Sequence, residues 1–254
     1  MIYGYSERGI FNSIIYYLDL EENQNLIGDF LKVLEIEETF SCKTHSFTFL
    51  NEQSFSDFGD SDLTIIIKEK DTEKKTVVFI EGKVKTFNGN YSLHKEFEKV
   101  KNSIDKEQTF DGFSSTIFIQ MYFKYLLSKG NDEEVIDTRL NKVINRHVRK
   151  IGKNKVVICT RNKYIKDATY YFVAIIPKQK EDSQTNQEKN CKSEILQKYF
   201  DELKLMQNVK DKIRCAFWED IFDFFDQEKF KVKNGNNIVI ENFRHNKNQI
   251  YKTE

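Results

Sequence analysis

The chain has 254 residues, with 40 Lys or Arg against 40 Asp or Glu, so its formal net charge is zero. A nonspecific coat for nucleic acid or for an anionic membrane carries a large positive excess, so any polyanion site here must be local. With 39% hydrophobic residues, 22 Phe, 12 Tyr and one Pro, the composition excludes a disordered or collagen-like chain and can fill the core of one large domain over residues 1–254.

In chain order, Ser6 is placed to cap a helix through GIFNSIIYYL, where Ile10, Phe11, Ile14, Ile15 and Leu18 form a core-facing stripe. A second helix is expected over Asn25–Leu34. The period then changes to strand alternation at Thr44–Leu50, followed by a polar loop, Ser54–Ser61. Two β-branched runs, Asp62–Ile67 and Thr76–Lys85, flank the charged turn KEKDTEKK and predict an antiparallel hairpin. Helices follow at Tyr91–Lys106, at Ser115–Ser128 with apolar residues on most sides, and at Asp132–Lys150, which turns basic toward its end. Lys155–Thr160 and Thr169–Pro177 read as central strands because they are nearly all apolar. The stretch Lys178–Asn190 reads as a mobile linker. Beyond it a helix (Ser193–Met206), a strand (IRCAF), a helix (Trp218–Phe225) and a β segment (Asn237–Glu241) are expected. That order predicts an α/β layered domain with a mixed sheet.

The N-terminus lacks a basic segment followed by a long apolar run, and no uncharged window approaches the roughly 20 residues of a membrane-spanning helix. A soluble, cytoplasmic protein with no membrane partner is the expectation. Cys42, Cys159, Cys191 and Cys215 form no Cys-x-x-Cys pair, and His45, His94, His147 and His245 do not sit at zinc-site spacing, so reduced, mostly buried thiols are expected.

The hairpin carries the chemistry. A turn centred near Asp71–Lys75 places Asp62 across from Lys83 or its neighbour, while Glu81 and Lys83, two apart on a strand, share a face. An Asp, a Glu and a Lys thus converge at one end of an apolar hairpin, where packing gives charged side chains no reason to be. Two adjacent carboxylates keep their charge best around a divalent cation, and hard oxygen ligands with open water positions suit magnesium or manganese. A Glu-x-Lys on a strand is common by itself; its bland form is an exposed Glu beside a cross-strand Asp-Lys pair.

GDSDLTIII followed by VVFIEGKVK resembles the PD-(D/E)XK nuclease superfamily, in which an Asp opens one strand and Glu-x-Lys ends the next. The motif support covers residues 1–105; a helical insertion over about 111–150 and C-terminal strands and helices over 155–254 rest on element order. The resemblance implies a three-layer restriction-endonuclease-like core, with a central mixed β-sheet flanked by helices. It implies Asp62 and Glu81 as metal ligands with the Gly82 carbonyl, Lys83 to orient or deprotonate the attacking water, and Glu7 as a helix carboxylate. The metal would be Mg2+ or Mn2+, the reaction hydrolysis of DNA to a 5′-phosphate and a 3′-hydroxyl, the setting bacterial defence or DNA repair. RNA is the alternative substrate, a homodimer is left open, and a catalytically silent binding module is the runner-up. Ser61 stands where the motif has Pro, and Asp60 and Asp57 rival Asp62, which is preferred because it abuts the apolar strand.

The run Arg139–Lys155 holds seven basic residues and no acid. Arg139, Lys142, Arg146, Arg149 and Lys150 are the candidate nucleic-acid contacts, predicted to form one basic face with the balancing acids elsewhere. Lys85, Lys95, Lys99 and His94 are weaker candidates near the motif. Gln120 and Tyr125 read as part of an apolar helix surface.

Overall fold

A computed structural model describes residues 6–84, 91–178, 192–227 and 237–247. Helices α1 (Ser6–Asp19) and α2 (Ile27–Val33) precede strands β1 (His45–Ser54), β2 (Asp60–Glu69) and β3 (Lys75–Gly82). Helices α3 (Leu93–Lys106) and α4 (Ile117–Ser128) follow, then a small insert of β4 (Glu133–Val135), α5 (Thr138–Ile144) and β5 (Val148–Lys150). The chain continues through α6 (Lys155–Thr160), β6 (Thr169–Ile176), α7 (Lys192–Leu203), β7 (Ile213–Phe217), α8 (Trp218–Phe225) and α9 (Ile238–His245).

The main sheet runs β1-β2-β3-β6-β7. Short connections make β1, β2 and β3 an antiparallel meander, whereas the crossovers carrying helices return β6 and then β7 parallel to β3. Strand alternation sends successive side chains to two different cores. Ile66, Val77, Phe79, Phe172 and Ala174 pack with α3, α4, α5 and α7. Leu63, Ile65, Val78, Ile80, Val173 and Ile175 pack with α1, α2, α8 and α9. The architecture is therefore α/β, a five-stranded mixed sheet between two helical layers.

Three expected elements are corrected. Lys155–Thr160 is not a central strand but the short helix α6, capped by Asn154, whose side chain accepts the Val156 N–H. Val156 is 67% exposed, so its run of β-branched residues is not a core signal. Asn237–Glu241 is the start of α9, capped in the same way by Asn237, with Val239, Ile240 and Phe243 inward at helical spacing. The long helix expected over Asp132–Lys150 is a two-stranded ribbon, β4 and β5, around α5. Asp137 caps α5 and Asn145, at φ +48°, ends it after seven residues. Residues 179–191 of the expected linker lie outside the described residues.

Candidate functional site

The hairpin register decides which residues meet. Leu63 pairs with Ile80 and Lys68 with Lys75, so the turn occupies Glu69–Lys74. One further step places Asp62 opposite Glu81, not Lys83; the strands run longer than their β-branched cores suggested and the turn sits earlier. Asp62, Thr64 and Ile66 share a face with Phe79 and Glu81, the face that packs on α4. Asp62 Oδ2 accepts the Gly82 N–H at 2.7 Å, which anchors the carboxylate across the strand pair. Asp60 is exposed and pairs with Ser54, and Asp57 binds Arg146 and the Lys150 N–H, so neither rival reaches Glu81 through this register.

Glu81 is completely buried, and its cation comes from a residue the motif did not indicate. Lys124, also fully buried on α4, places Nζ 3.2 Å from Glu81 Oε1 and donates to the Phe58 carbonyl at 3.1 Å. Burial pushes the Glu81 carboxyl up to about 7, against the opposing pull of Lys124, and the nearby Asp62 adds to the rise. Burial also raises Asp62, opposed by the Gly82 N–H and by Lys83 and reinforced by Glu7. Glu7, in the first turn of α1, comes from the other helical layer yet lies close enough to perturb Asp62. Among the described residues, Glu81 Oε2, Glu7 Oε2 and Thr64 Oγ1, and away from them Arg149 Nε and Arg161 Nε, are buried without a hydrogen-bond partner, while Glu81 Oε1 meets only the Lys124 ammonium. Buried polar atoms are nearly always satisfied, so a cluster of open acceptors around two strand ends marks a place built for something more.

Lys83 lies just past β3 and is held on several sides. Its N–H donates to the Ile175 carbonyl at 2.8 Å, its carbonyl accepts Trp218 Nε1–H at 2.8 Å, and its Nζ donates to Gln120 Oε1. Gln120 therefore faces the site, which corrects its reading as apolar helix surface; Tyr125 does pack in the core against Phe172. Beside Lys83, Glu96 accepts from Tyr91 Oη and from the Ile117 N–H at 3.0 Å, so a satisfied carboxylate caps the start of α4. Gly82 is needed for a reason unrelated to strand flexibility: a Cβ there would come within 3.0 Å of the Phe11 and Trp218 rings.

The basic run is placed differently from the expectation. Arg139 binds Asp137, Lys142 binds Glu107, and Arg146 binds Asp57. Arg149 lies 3.6 Å over the Phe123 ring and donates to the Asp57 carbonyl, with burial lowering its pKa to about 10. Lys150 gives its backbone N–H to Asp57 at 3.2 Å. Three of the seven basic residues of the run are thus paired with acids. The run nevertheless abuts the site through residues 56–59, since Asp57 takes Arg146 and Arg149 while the adjacent Phe58 carbonyl takes Lys124.

Among the described residues, no group of three or more His, Cys, Asp or Glu is arranged to hold a metal ion. Asp62 and Glu81, the latter with a buried oxygen left open, are the carboxylates that the register brings together, and magnesium is commonly held by one or two protein carboxylates with water or substrate completing its shell. A cleft of about 390 Å³ opens elsewhere, around His45, Lys75, Lys129, Asp167 and Tyr170 at the opposite ends of β3 and β6. Cys42 is half-buried, Cys159 exposed and Cys215 buried. Also among the described residues, no helix is long and apolar enough to cross a membrane. Compared with protein-family models, curated proteins and solved structures, the chain matches none. The functional reading of the site rests on its own residues.

Lys124 and Glu96 were not indicated by the sequence motif. The one available signal was spacing: Gln120 and Lys124, four apart, are the polar interruptions on one stripe of an otherwise apolar helix.

Proposed function

We propose that the chain is a divalent-metal-dependent nuclease with a restriction-endonuclease-like core, hydrolysing phosphodiester bonds in DNA. The observation that carries this reading is the approach of Asp62 and Glu81 on one sheet face, one step beyond the Leu63–Ile80 pair, with buried oxygens of Glu81 and Glu7 left open. The location agrees with the tendency of ligands to bind beyond the carboxyl ends of parallel strands, here β3 and β6. Asp62 and Glu81, with the Gly82 carbonyl, would hold Mg2+ or Mn2+, which supplies charge neutralisation at the phosphate and a bound water of lowered pKa. Lys83, steadied by Gln120, supports negative charge developing on the phosphate and passes a proton to or from the water. Glu7 orients the water from the α1 side. Arg139, Lys142 and Arg146 contribute to nucleic-acid binding where a phosphate displaces their internal acids, and Arg149 and Lys150 join them from the adjoining strand.

The test is cleavage of plasmid, single-stranded DNA and RNA with Mg2+, Mn2+ or chelator, beside Glu81→Gln and Lys83→Ala. Activity should need the metal, and Glu81→Gln should lower it at least about tenfold, the least that losing even an outer-shell partner of a metal costs. Cleavage that survives both substitutions would remove the assignment.

A second reading, a catalytically silent module that binds nucleic acid or a protein partner, is favoured by the closed Glu81–Lys124 pair and by the internal partners of the basic run. It predicts DNA retention in a gel-shift assay with no metal-dependent cleavage.

A further inference from the structure

Lys124 makes contacts that a pairing partner alone does not need. Its Nζ touches Glu81 at 3.2 Å on β3 and the Phe58 carbonyl at 3.1 Å, in the turn that leads into β2 and Asp62. Gly59, the next residue of that turn, has φ +77°, and a Cβ there would come within 3.6 Å of the same Nζ. One ammonium thus ties the strand that carries Glu81 to the turn that delivers Asp62.

The helix and strand are matched for this purpose. Gln120 and Lys124 are four residues apart on α4, a rise of about 6 Å, while Lys83 and Glu81 are two residues apart, about 6.8 Å along extended backbone. Gln120 meets Lys83 and Lys124 meets Glu81, so α4 runs against β3 with two polar contacts in register. The helix start is fixed at the same end by Glu96, which accepts the Ile117 N–H at 3.0 Å. Such a ladder could be a packing device. Yet an ammonium is an expensive way to fill a core, and it meets only Oε1, leaving Glu81 Oε2 buried without a hydrogen-bond donor.

We infer that Lys124 is a positioning residue of this site: it holds Glu81 and the Asp62-bearing turn at a fixed separation, so that the two carboxylates can share one divalent cation. The inference rests on the metal-dependent reading above. Lys124 touches no reacting group; it acts through Glu81 and Phe58.

The experiment is calorimetric titration of Mn2+ alone into the full chain, Lys124→Met and Glu81→Gln, with circular dichroism to confirm folding. Wild type should bind Mn2+ and Glu81→Gln should not. Folded Lys124→Met should bind at least tenfold more weakly. A purely structural lysine would lower the melting temperature and leave the Mn2+ affinity of the folded protein unchanged; that result, or tighter binding, overturns the proposal. Should Lys124→Met fail to fold, Lys124→Gln, which keeps a donor for the Phe58 carbonyl, carries the same comparison. Mn2+ uptake that depends on Glu81 but not on Lys124 sinks the positioning role and spares the metal reading. No Glu81-dependent uptake in wild type sinks both.

Discussion

The end of β3 and the β4–β5 ribbon are the two places where this chain concentrates charge, and they resolve that charge in opposite ways. In the ribbon region Arg139, Lys142 and Arg146 each find an acid, and Arg149 finds a ring and a carbonyl, with only its buried Nε left without a partner. At the strand end, Glu81 is buried with Oε1 on the Lys124 ammonium and Oε2 short of any donor, and Glu7 and Thr64 each leave one oxygen in the same state. A run of charge in a sequence is therefore a poor guide to a binding site. Unmet hydrogen-bonding capacity in a buried place is a better one, because a protein pays to leave it open.

If that contrast is right, substitutions at the strand end should cost far more than those in the ribbon. The largest effect is expected for Glu81→Met, which leaves the Lys124 ammonium buried without its carboxylate; urea denaturation should show a loss of about 3–5 kcal/mol. Adding Lys124→Met to it should recover part of that loss, and no recovery would mean that the pair is not coupled.

Next comes pH. The folded Glu81 carboxyl is raised to about 7 from an ordinary 4.5, so the folded state holds its proton longer than the unfolded chain. Its contribution to stability is present below the ordinary value and is lost as pH rises through about 7. Wild type should therefore lose on the order of 2–3 kcal/mol between pH 4.5 and 7.5 relative to Glu81→Gln. Parallel curves for the two proteins would contradict the burial argument. Asp62 and Glu96 are shifted in the same direction, so Glu81→Gln flattens the wild-type dependence without abolishing it.

Gly82→Ala should cost about 1–3 kcal/mol through overpacking against Phe11 and Trp218. Chemical denaturation measures it, and a neutral result would mean that those rings move easily. At the small end, Arg146→Ala removes an exposed ion pair with Asp57 and should change stability by at most about 1 kcal/mol. A loss as large as that of Glu81→Met would erase the distinction between the two regions.

Local patterning made much of this legible. The hairpin, β6, β7 and α8 were visible because runs such as TIII, VVFI and TYYFVAII are long, apolar and bounded by polar turns. Helix α3 showed in its spacing, and α4 in a run that is apolar on most sides. Misreadings came where short-range chemistry overrode propensity. Asn154 and Asn237 capped helices on segments whose β-branched residues suggested strands. Asn145 in the left-handed region cut α5 short inside a stretch that looked continuous. Asp62, Glu81 and Lys83 could be singled out because charge at the end of an apolar strand is anomalous, whereas Lys124 on another element could not be joined to them without the fold.

The zero net charge, the amphipathic helices and the two β-branched strands were fixed by residue type and spacing, since these are local properties of the chain. Three things belonged to the tertiary structure alone. The hairpin slipped to bring Asp62 opposite Glu81, because strand length and turn position set register. Lys124 reached Glu81 because α4 packs against β3 across 43 positions of sequence. Lys142 and Arg146 of the basic run acquired acid partners because Glu107 and Asp57, distant in sequence, were folded against them. Contacts of that kind depend on long-range packing, and residue periodicity carries no record of them.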